Sequence, residues 1–257
     1  MKKLLFAIIG LLLFSCKSSD LPEQNLTYGL VSAWEFNETS GTSVVDSYGS
    51  SNGTVNGATI NQPGKIGQCF QFNGANSYVS VPHSASLNPN SQDFSVNIWI
   101  KWEGSPLSGT LGGVMEKGEY KLDGSEFQFM VRGGGSVDYE NGFYFRLRTS
   151  AGIINTICCT TDQTSIVGNG SWHMLTAVVD EGASIEGRIF LDGTEVGTLA
   201  SITALVDNTS ALNIGKYAYY YFPGKIDQPA VWNRALAASE IQSLYNSGNG
   251  LAFSQWE

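Results

Sequence analysis

Positive charge is scarce in this sequence. Only 14 Lys and Arg stand against 23 Asp and Glu, giving a formal net charge of −9. That balance argues against nucleic acid as a partner, because such binding draws its affinity chiefly from Lys and Arg neutralising phosphate. Histidine is limited to His83 and His173, and the four cysteines show none of the CxxC or Cys/His spacing of a zinc site. No GxSxG elbow, P-loop or HExxH occurs. There is no internal repeat or low-complexity linker to divide the chain. Helical periodicity is confined to the end, where Ile241, Leu244 and Tyr245 share a face and Gly248 supplies a stop.

Long apolar runs are also missing, except at the start. Lys2 and Lys3 precede an almost wholly apolar stretch from Leu4 to Phe14, shorter than the roughly 20 residues of a membrane-spanning helix, so it matches the core of a signal peptide. The run LFSC, Leu13 to Cys16, resembles a bacterial lipobox, and a polar KSSD follows it. That resemblance implies cleavage after residue 15, lipid on Cys16 and a tether over 16–25. Ordinary secretion with cleavage nearby is the alternative. An acyl-anchored envelope protein, at the outer membrane and facing either the surface or the periplasm, is the expectation, with the membrane reached through the lipid alone. Cys69, Cys158 and Cys159 then remain. Three thiols cannot all pair; the adjacent Cys158 and Cys159 could join only in a strained ring, and a bridge from Cys69 to either suits an oxidising compartment.

What is abundant is glycine, 30 residues of it, and short apolar runs separated by Gly/Asn/Ser/Asp clusters, the pattern of many short strands joined by turns. Phe94, Val96, Ile98, Ile100 and Trp102 fall on one face of FSVNIWIKW, with Ser95, Asn97, Trp99 and Lys101 on the other. Phe127, Phe129 and Val131 repeat that period, as do Phe143, Phe145 and Leu147. HMLTAVVD from His173 and RIFLDG from Arg188, the latter ending in an Asp-Gly turn, add two more strands. Strands with one apolar face require two sheets packed together. An all-β, two-sheet antiparallel sandwich over 26–257, closed by one short helix, is predicted.

In order along the chain stand LVSAWEFNE (30–38), VVDSYGSSNGTV (44–55), KIGQCFQFNGANSYVSVP (65–82), FSVNIWIKW (94–102), SWHMLTAVVD (171–180), FLDGTEVG (190–197), LNIG (212–215) and GKIDQPAVWNRALAASEIQSLY (224–245). Together they resemble a bacterial laminin-G-like domain of the concanavalin A-like jelly-roll superfamily, and the likeness covers nearly all of the chain beyond the leader. It implies a carbohydrate-binding or adhesion module in a Bacteroidetes-style lipoprotein that holds polysaccharide. It speaks for fold more than function, which resides in sites grafted onto a scaffold. One departure is Ala237, three before Glu240, where the family often has a capping Ser or Thr; losing that reciprocal cap costs about 1 kcal/mol.

The resemblance also implies a structural Ca²⁺ tying together loops near the first and last strands. Asp46 and Asp227 are the carboxylates to nominate, with carbonyls of Gly49 and Asn52, since calcium takes six to eight oxygens. Alternatively Asp46 caps a turn and Asp227, set inside an apolar strand, accepts backbone N–H bonds that offset its desolvation. For ligand contact the cluster Tyr217, Tyr219, Tyr220 and Tyr221 leads, because sugars present apolar C–H faces that match an aromatic plane. Strand alternation would put Tyr217, Tyr219 and Tyr221 on one side and Tyr220 with Phe222 on the other; one set could instead be core. Trp99 could line a concave face, although the family more often packs such a tryptophan beneath loops. Arg146 and Arg148, with Tyr144, suit an acidic glycan, or are simply solvated.

The same fold houses hydrolases and lyases, so catalysis is the second reading and protein–protein adhesion the third. Hydrolysis needs two carboxylates across the scissile bond, and the ExDxE strand motif of one such family is missing. Glu116 and Glu119 are expected near a turn. Lyases on this fold use His with Tyr and Arg; His173 sits in the structural W-H pair and His83 in a loop, so no local motif argues for an enzyme.

Overall fold

In a computed structural model of the chain, residues 25–88, 93–104, 111–118, 127–132, 142–148, 154–182, 185–202 and 208–257 are described. Cys16, the leader, the tether as far as residue 24 and Glu119 lie outside them. The strands in chain order are β1 (Leu30–Ala33), β2 (Ser43–Val44), β3 (Gly53–Asn56), β4 (Thr59–Pro63), β5 (Gln68–Asn73), β6 (Tyr78–Val81), β7 (Phe94–Trp102), β8 (Leu111–Lys117) and β9 (Phe127–Arg132). They continue with β10 (Gly142–Arg148), β11 (Ile154–Cys158), β12 (Trp172–Asp180), β13 (Ile185–Leu191), β14 (Thr194–Ile202), β15 (Leu212–Ile214), β16 (Lys216–Tyr217), β17 (Tyr220–Tyr221) and β18 (Pro223–Trp232).

Two antiparallel sheets form a sandwich. One has the order β14-β13-β12-β7-β18-β5-β4, with β1 also on β18; the other runs β11-β10-β9-β8-β15-β6-β3-β2. The first and last long strands are therefore neighbours, Ala33 opposite Ala230. The period-two rows meet between the sheets: Phe94, Val96, Ile98, Ile100 and Trp102 pack with Phe127, Phe129, Val131, Phe143, Phe145 and Leu147. At one end of this core Lys117 is fully buried, its Nζ held 2.9 Å from Asn208 Oδ1 and 2.8 Å from the Ser210 carbonyl.

The first sheet is covered on its other face as well. Helix α2 (Ala238–Tyr245) and the terminal segments bury Trp99, Met174, Phe190, Trp232, Ile241, Leu244 and Trp256 in a second core. Trp256 stacks on Trp232 with centroids 5.4 Å apart, and the Leu26 amide donates to the Trp256 carbonyl at 2.9 Å, joining the two ends of the domain. Residues 246–257, which carry no strand or helix pattern, thus complete the packing. The cap of α2 is half kept: Glu240 Oε2 accepts the Ala237 amide at 2.8 Å, and Arg234 grips both Glu240 oxygens at 2.7 and 2.6 Å. One further helical turn, α1 (Thr164–Val167), has too short a pattern to show in the sequence. Among the described residues no helix is long and apolar enough to cross a membrane.

Candidate functional site

The outer face of the second sheet is different. Cross-strand register sets Thr156, Arg146, Gln128, Glu116, Asn213, Ser80 and Thr54 opposite one another on successive strands. A period of two that fills one face with Phe, Val and Ile leaves these polar residues on the other. The adjacent row holds Tyr144, Met130 and Gly113, and over it lies the short hairpin β16–β17.

The hairpin is local chemistry made visible. Gly215, at φ 84°, turns the chain out of β15, and a Cβ there would stand 2.5 Å from the Phe72 ring. Lys216 then pairs with Tyr221 and Tyr217 with Tyr220, so Ala218 and Tyr219 form a two-residue turn with Ala218 at φ 50°. A left-handed alanine is uncommon and costs on the order of 1 kcal/mol, and it is held in place from below. Glu116 Oε2 accepts the Ala218 amide at 3.1 Å while Oε1 accepts Asn213 Nδ2 at 3.3 Å. Gly113 clears the space, since a Cβ there would overlap the backbone of Lys216 and Tyr217. Tyr217 is consequently buried against Met130 and Tyr144.

Tyr220 lies over Tyr217 with centroids 6.1 Å apart and planes 13° from parallel. Its outer side is open, and Tyr219 at the tip is 87% exposed. The alternation expected for a continuous strand does not hold: the turn puts Tyr217 and Tyr220 together and separates Tyr219 from both. On the hairpin's other flank Lys216 Nζ stands 4.9 Å above the Tyr78 ring, with Tyr221 6.4 Å from Tyr78. Arg146 adjoins the Tyr217 side instead, its guanidinium 5.2 Å from the Tyr144 ring and its Nε 3.4 Å from Thr156 Oγ1. Arg148 is half-buried at the end of β10. The structure therefore brings the tyrosines and Arg146 to one place, a grouping the sequence left as separate candidates.

Trp99 is not part of it. It lies on the first sheet, 1% exposed, stacked on Tyr245 of α2 at 5.8 Å with Lys65 Nζ 5.0 Å over its ring. The face opposite the Phe94 row is covered, so Trp99 packs rather than presenting itself to a ligand. Glu116 also differs from expectation: it sits within β8, 2% exposed, not at a turn. His173 is structural, with Nδ1 2.7 Å from Asp192 Oδ2 while Asp192 Oδ1 accepts the Met174 amide at 2.9 Å, tying β12 to the Asp-Gly turn. His83 is exposed, with Nδ1 3.4 Å from Lys117 Nζ. The three described cysteines are free thiols; burial pushes Cys69 and Cys159 up to about 12.

Asp46 and Asp227 occupy separate backbone nests. Asp46 accepts amides of Ala33 (3.1 Å), Tyr48 (3.2 Å), Gly49 (2.9 Å) and Ser51 (2.9 Å). Asn52 Oδ1 accepts the Asp46 amide at 2.9 Å. Gly49 contributes an N–H rather than a carbonyl, and a ring of N–H groups suits an anion, not a cation. Asp227 is fully buried, and its Oδ2 accepts the Lys65 and Ile66 amides at 2.7 and 2.8 Å. Burial dominates and pushes its carboxyl up to about 7, against the opposing amides of Ile66, Lys65 and Gln228. Among the described residues no three His, Cys, Asp or Glu gather to hold a metal. Asp46, Gly49, Asn52 and Asp227 as placed do not fit Ca²⁺.

Residues 73–242 match the family model Laminin_G_3, described as the concanavalin A-like lectin/glucanases superfamily. The chain belongs to that superfamily. Among solved structures, the binding domain of Paraclostridial Mosquitocidal Protein 1 superposes with a TM-score of 0.69 at 19% identity, over 87% of this chain and 53% of that one. The binding domain of botulinum neurotoxin DC in complex with SialylT gives 0.64 at 14% identity, over 86% and 52%. The structure described as showing that cell entry of botulinum neurotoxin type C depends upon interaction with two ganglioside molecules gives 0.65 at 15%, over 87% and 52%. The chain thus spans about half the length of these neighbours, and the likeness is one of fold. No curated protein matches the sequence. Around the hairpin, Tyr78, Lys216, Gly113 and Asn213 are residues that sequence reasoning did not single out, and Glu116 was weighed only as a catalytic acid. The double glycine at 112–113 was the available signal, since a strand interior without side chains marks a close backbone approach.

Proposed function

We propose that this domain binds glycan non-catalytically, through the tyrosine hairpin on the outer face of the second sheet. The observation that carries the reading is the Tyr217–Tyr220 stack with the exposed Tyr219 beside it at the turn. Two rings face solvent, and one of them rests on a third that is buried. Exposed aromatic planes on a supported turn offer apolar area with little conformational entropy to lose on binding. Arg146, whose guanidinium rests 5.2 Å from the Tyr144 ring on which Tyr217 packs, adds polar donors on the same side. Fold neighbours whose descriptions mention a SialylT complex and gangliosides support a binding role on this scaffold. Hydrolysis would require a pair of carboxylates, whereas Glu116, the acid in the polar row, has both oxygens engaged in holding Ala218 and Asn213.

In this reading residues 1–15 are removed, Cys16 carries the lipid, 16–25 form the tether, and 26–257 are displayed at the cell envelope of a bacterium. The Leu26–Trp256 bond supports 26–257 as one folding unit. Incubation of the domain with an array of polysaccharides and glycans tests the function: retention without new reducing ends or unsaturated products is expected. Product release would replace binding with catalysis, and protein capture without glycan retention would favour adhesion. Labelled palmitate incorporated by the full chain and lost in Cys16→Ala tests the anchor.

A further inference from the structure

The hairpin separates its charges. Glu116 faces inward, 2% exposed, and its two oxygens meet neutral donors on Asn213 and Ala218. Lys216 faces the opposite flank, where its ammonium rests on the Tyr78 ring at 4.9 Å and its cross-strand partner is Tyr221. Among the described residues ion pairs stand at Lys101–Glu103, Arg188–Asp180 and Arg234–Glu240. Among the described residues Lys216 joins none of them; it is half-buried, its ammonium held over an aromatic ring rather than against a carboxylate. A cation placed on a ring is oriented at small energetic gain, about 0.5–1 kcal/mol at exposed sites, and keeps its N–H groups available for an acceptor.

We propose that Lys216 makes the hairpin selective for acidic glycans, taking the carboxylate or sulfate of one residue of a glycan chain on the Tyr78 flank while a neighbouring residue of that chain lies on Tyr219 or Tyr220 across the turn. The inference rests on the glycan reading and names the ligand class of that site. Lys is suited to the task because it acts as a point charge and tolerates either anion, where an Arg fork would favour one planar geometry. A charge-assisted bond to the anion is stronger than one to a hydroxyl. A neutral sugar could use the rings but not the charge. The acidity of the chain as a whole makes a local cation the more discriminating, since an anionic polymer is repelled elsewhere.

The test uses the domain and a mixed array of neutral, uronic-acid, sialylated and sulfated glycans, followed by titration of the retained ones. Hits are expected to be anionic, and added salt should weaken them. Lys216→Gln should lose about fivefold in affinity for the acidic ligand, the scale of one partly exposed charge-assisted bond, with neutral analogues unaffected. Lys216→Arg should keep most of the preference. Melting temperatures of both variants should match the parent. Neutral hits alone, or an undiminished acidic preference in Lys216→Gln, overturn the proposal while leaving glycan binding in place. No retained glycan of any class overturns both.

Discussion

Glu116 accepts the backbone amide of Ala218 at 3.1 Å, from a strand of the sandwich to the turn of a hairpin 102 residues away. The bond is part-buried, and its acceptor is a carboxylate held from the other side by Asn213. It fixes a left-handed alanine and with it the presentation of Tyr219 and Tyr220. Gly113 makes the same contact sterically permissible. The geometry of the hairpin thus depends on two residues of β8 that lie beneath it.

Gly113→Ala should lift the hairpin and abolish glycan retention, because its Cβ would meet backbone rather than a movable side-chain end. Glu116→Ala should weaken retention and lower stability by about 1–3 kcal/mol, the scale of a buried hydrogen-bond partner removed. Glu116→Gln retains an acceptor and should retain binding. Calorimetric melting beside affinity electrophoresis checks all three; unchanged retention in Gly113→Ala would separate the hairpin from the site.

Asp227 makes stability depend on pH. Its carboxyl is raised from 3.8 to about 7 in the folded state by burial. The folded form therefore holds its proton more tightly, and the associated stability is fully present below the unfolded value and lost as pH rises through 7. Between pH 5 and 8.5 the loss is roughly 3 kcal/mol. Asp227→Asn keeps an oxygen for the Lys65 and Ile66 amides without the charge. Denaturant titrations should find the variant close to the parent at pH 5 and more stable at pH 8.5. An equal difference at both pH values would remove Asp227 as the cause.

Asp46 should behave as a hydrogen-bond hub. Four amides converge on it, so Asp46→Ala leaves buried donors unpaired and should cost about 2–4 kcal/mol. Chelation should leave the melting temperature unmoved. A midpoint that falls with EDTA and recovers with Ca²⁺ would restore the metal expected from the family resemblance.

The carboxy-terminal dozen residues should be indispensable. Trp256 is fully buried between Trp232 and Phe253, with centroids 5.4 and 5.2 Å away. Trp256→Ala should cost about 3–5 kcal/mol, measured by urea unfolding; a loss below 1 kcal/mol would mean that this second core contributes little.

Much of the fold was legible because period two is a physical consequence of strand geometry. The Phe94 and Phe127 rows fell where they were expected, and β1 lies beside β18. What stayed hidden depended on contacts distant in sequence. Trp99 alternates correctly, yet only α2 and the tail decide that its face is covered. The 216–221 segment reads as a continuous strand because its turn uses alanine instead of glycine. Lys216, Tyr78 and Glu116 come from three separate strands, and no local spacing announces their meeting. Asp46 was nominated as a calcium ligand with a turn cap as the alternative, and local sequence does not reveal that N–H groups converge on it.

The most direct measurement is retention of Tyr219→Ala/Tyr220→Ala against the parent on glycans that the parent binds, with melting curves alongside. Loss of retention at an unchanged melting temperature is the predicted result, since both rings stand outside the core. Full retention by the double variant would contradict the account and move the binding surface elsewhere on the sandwich.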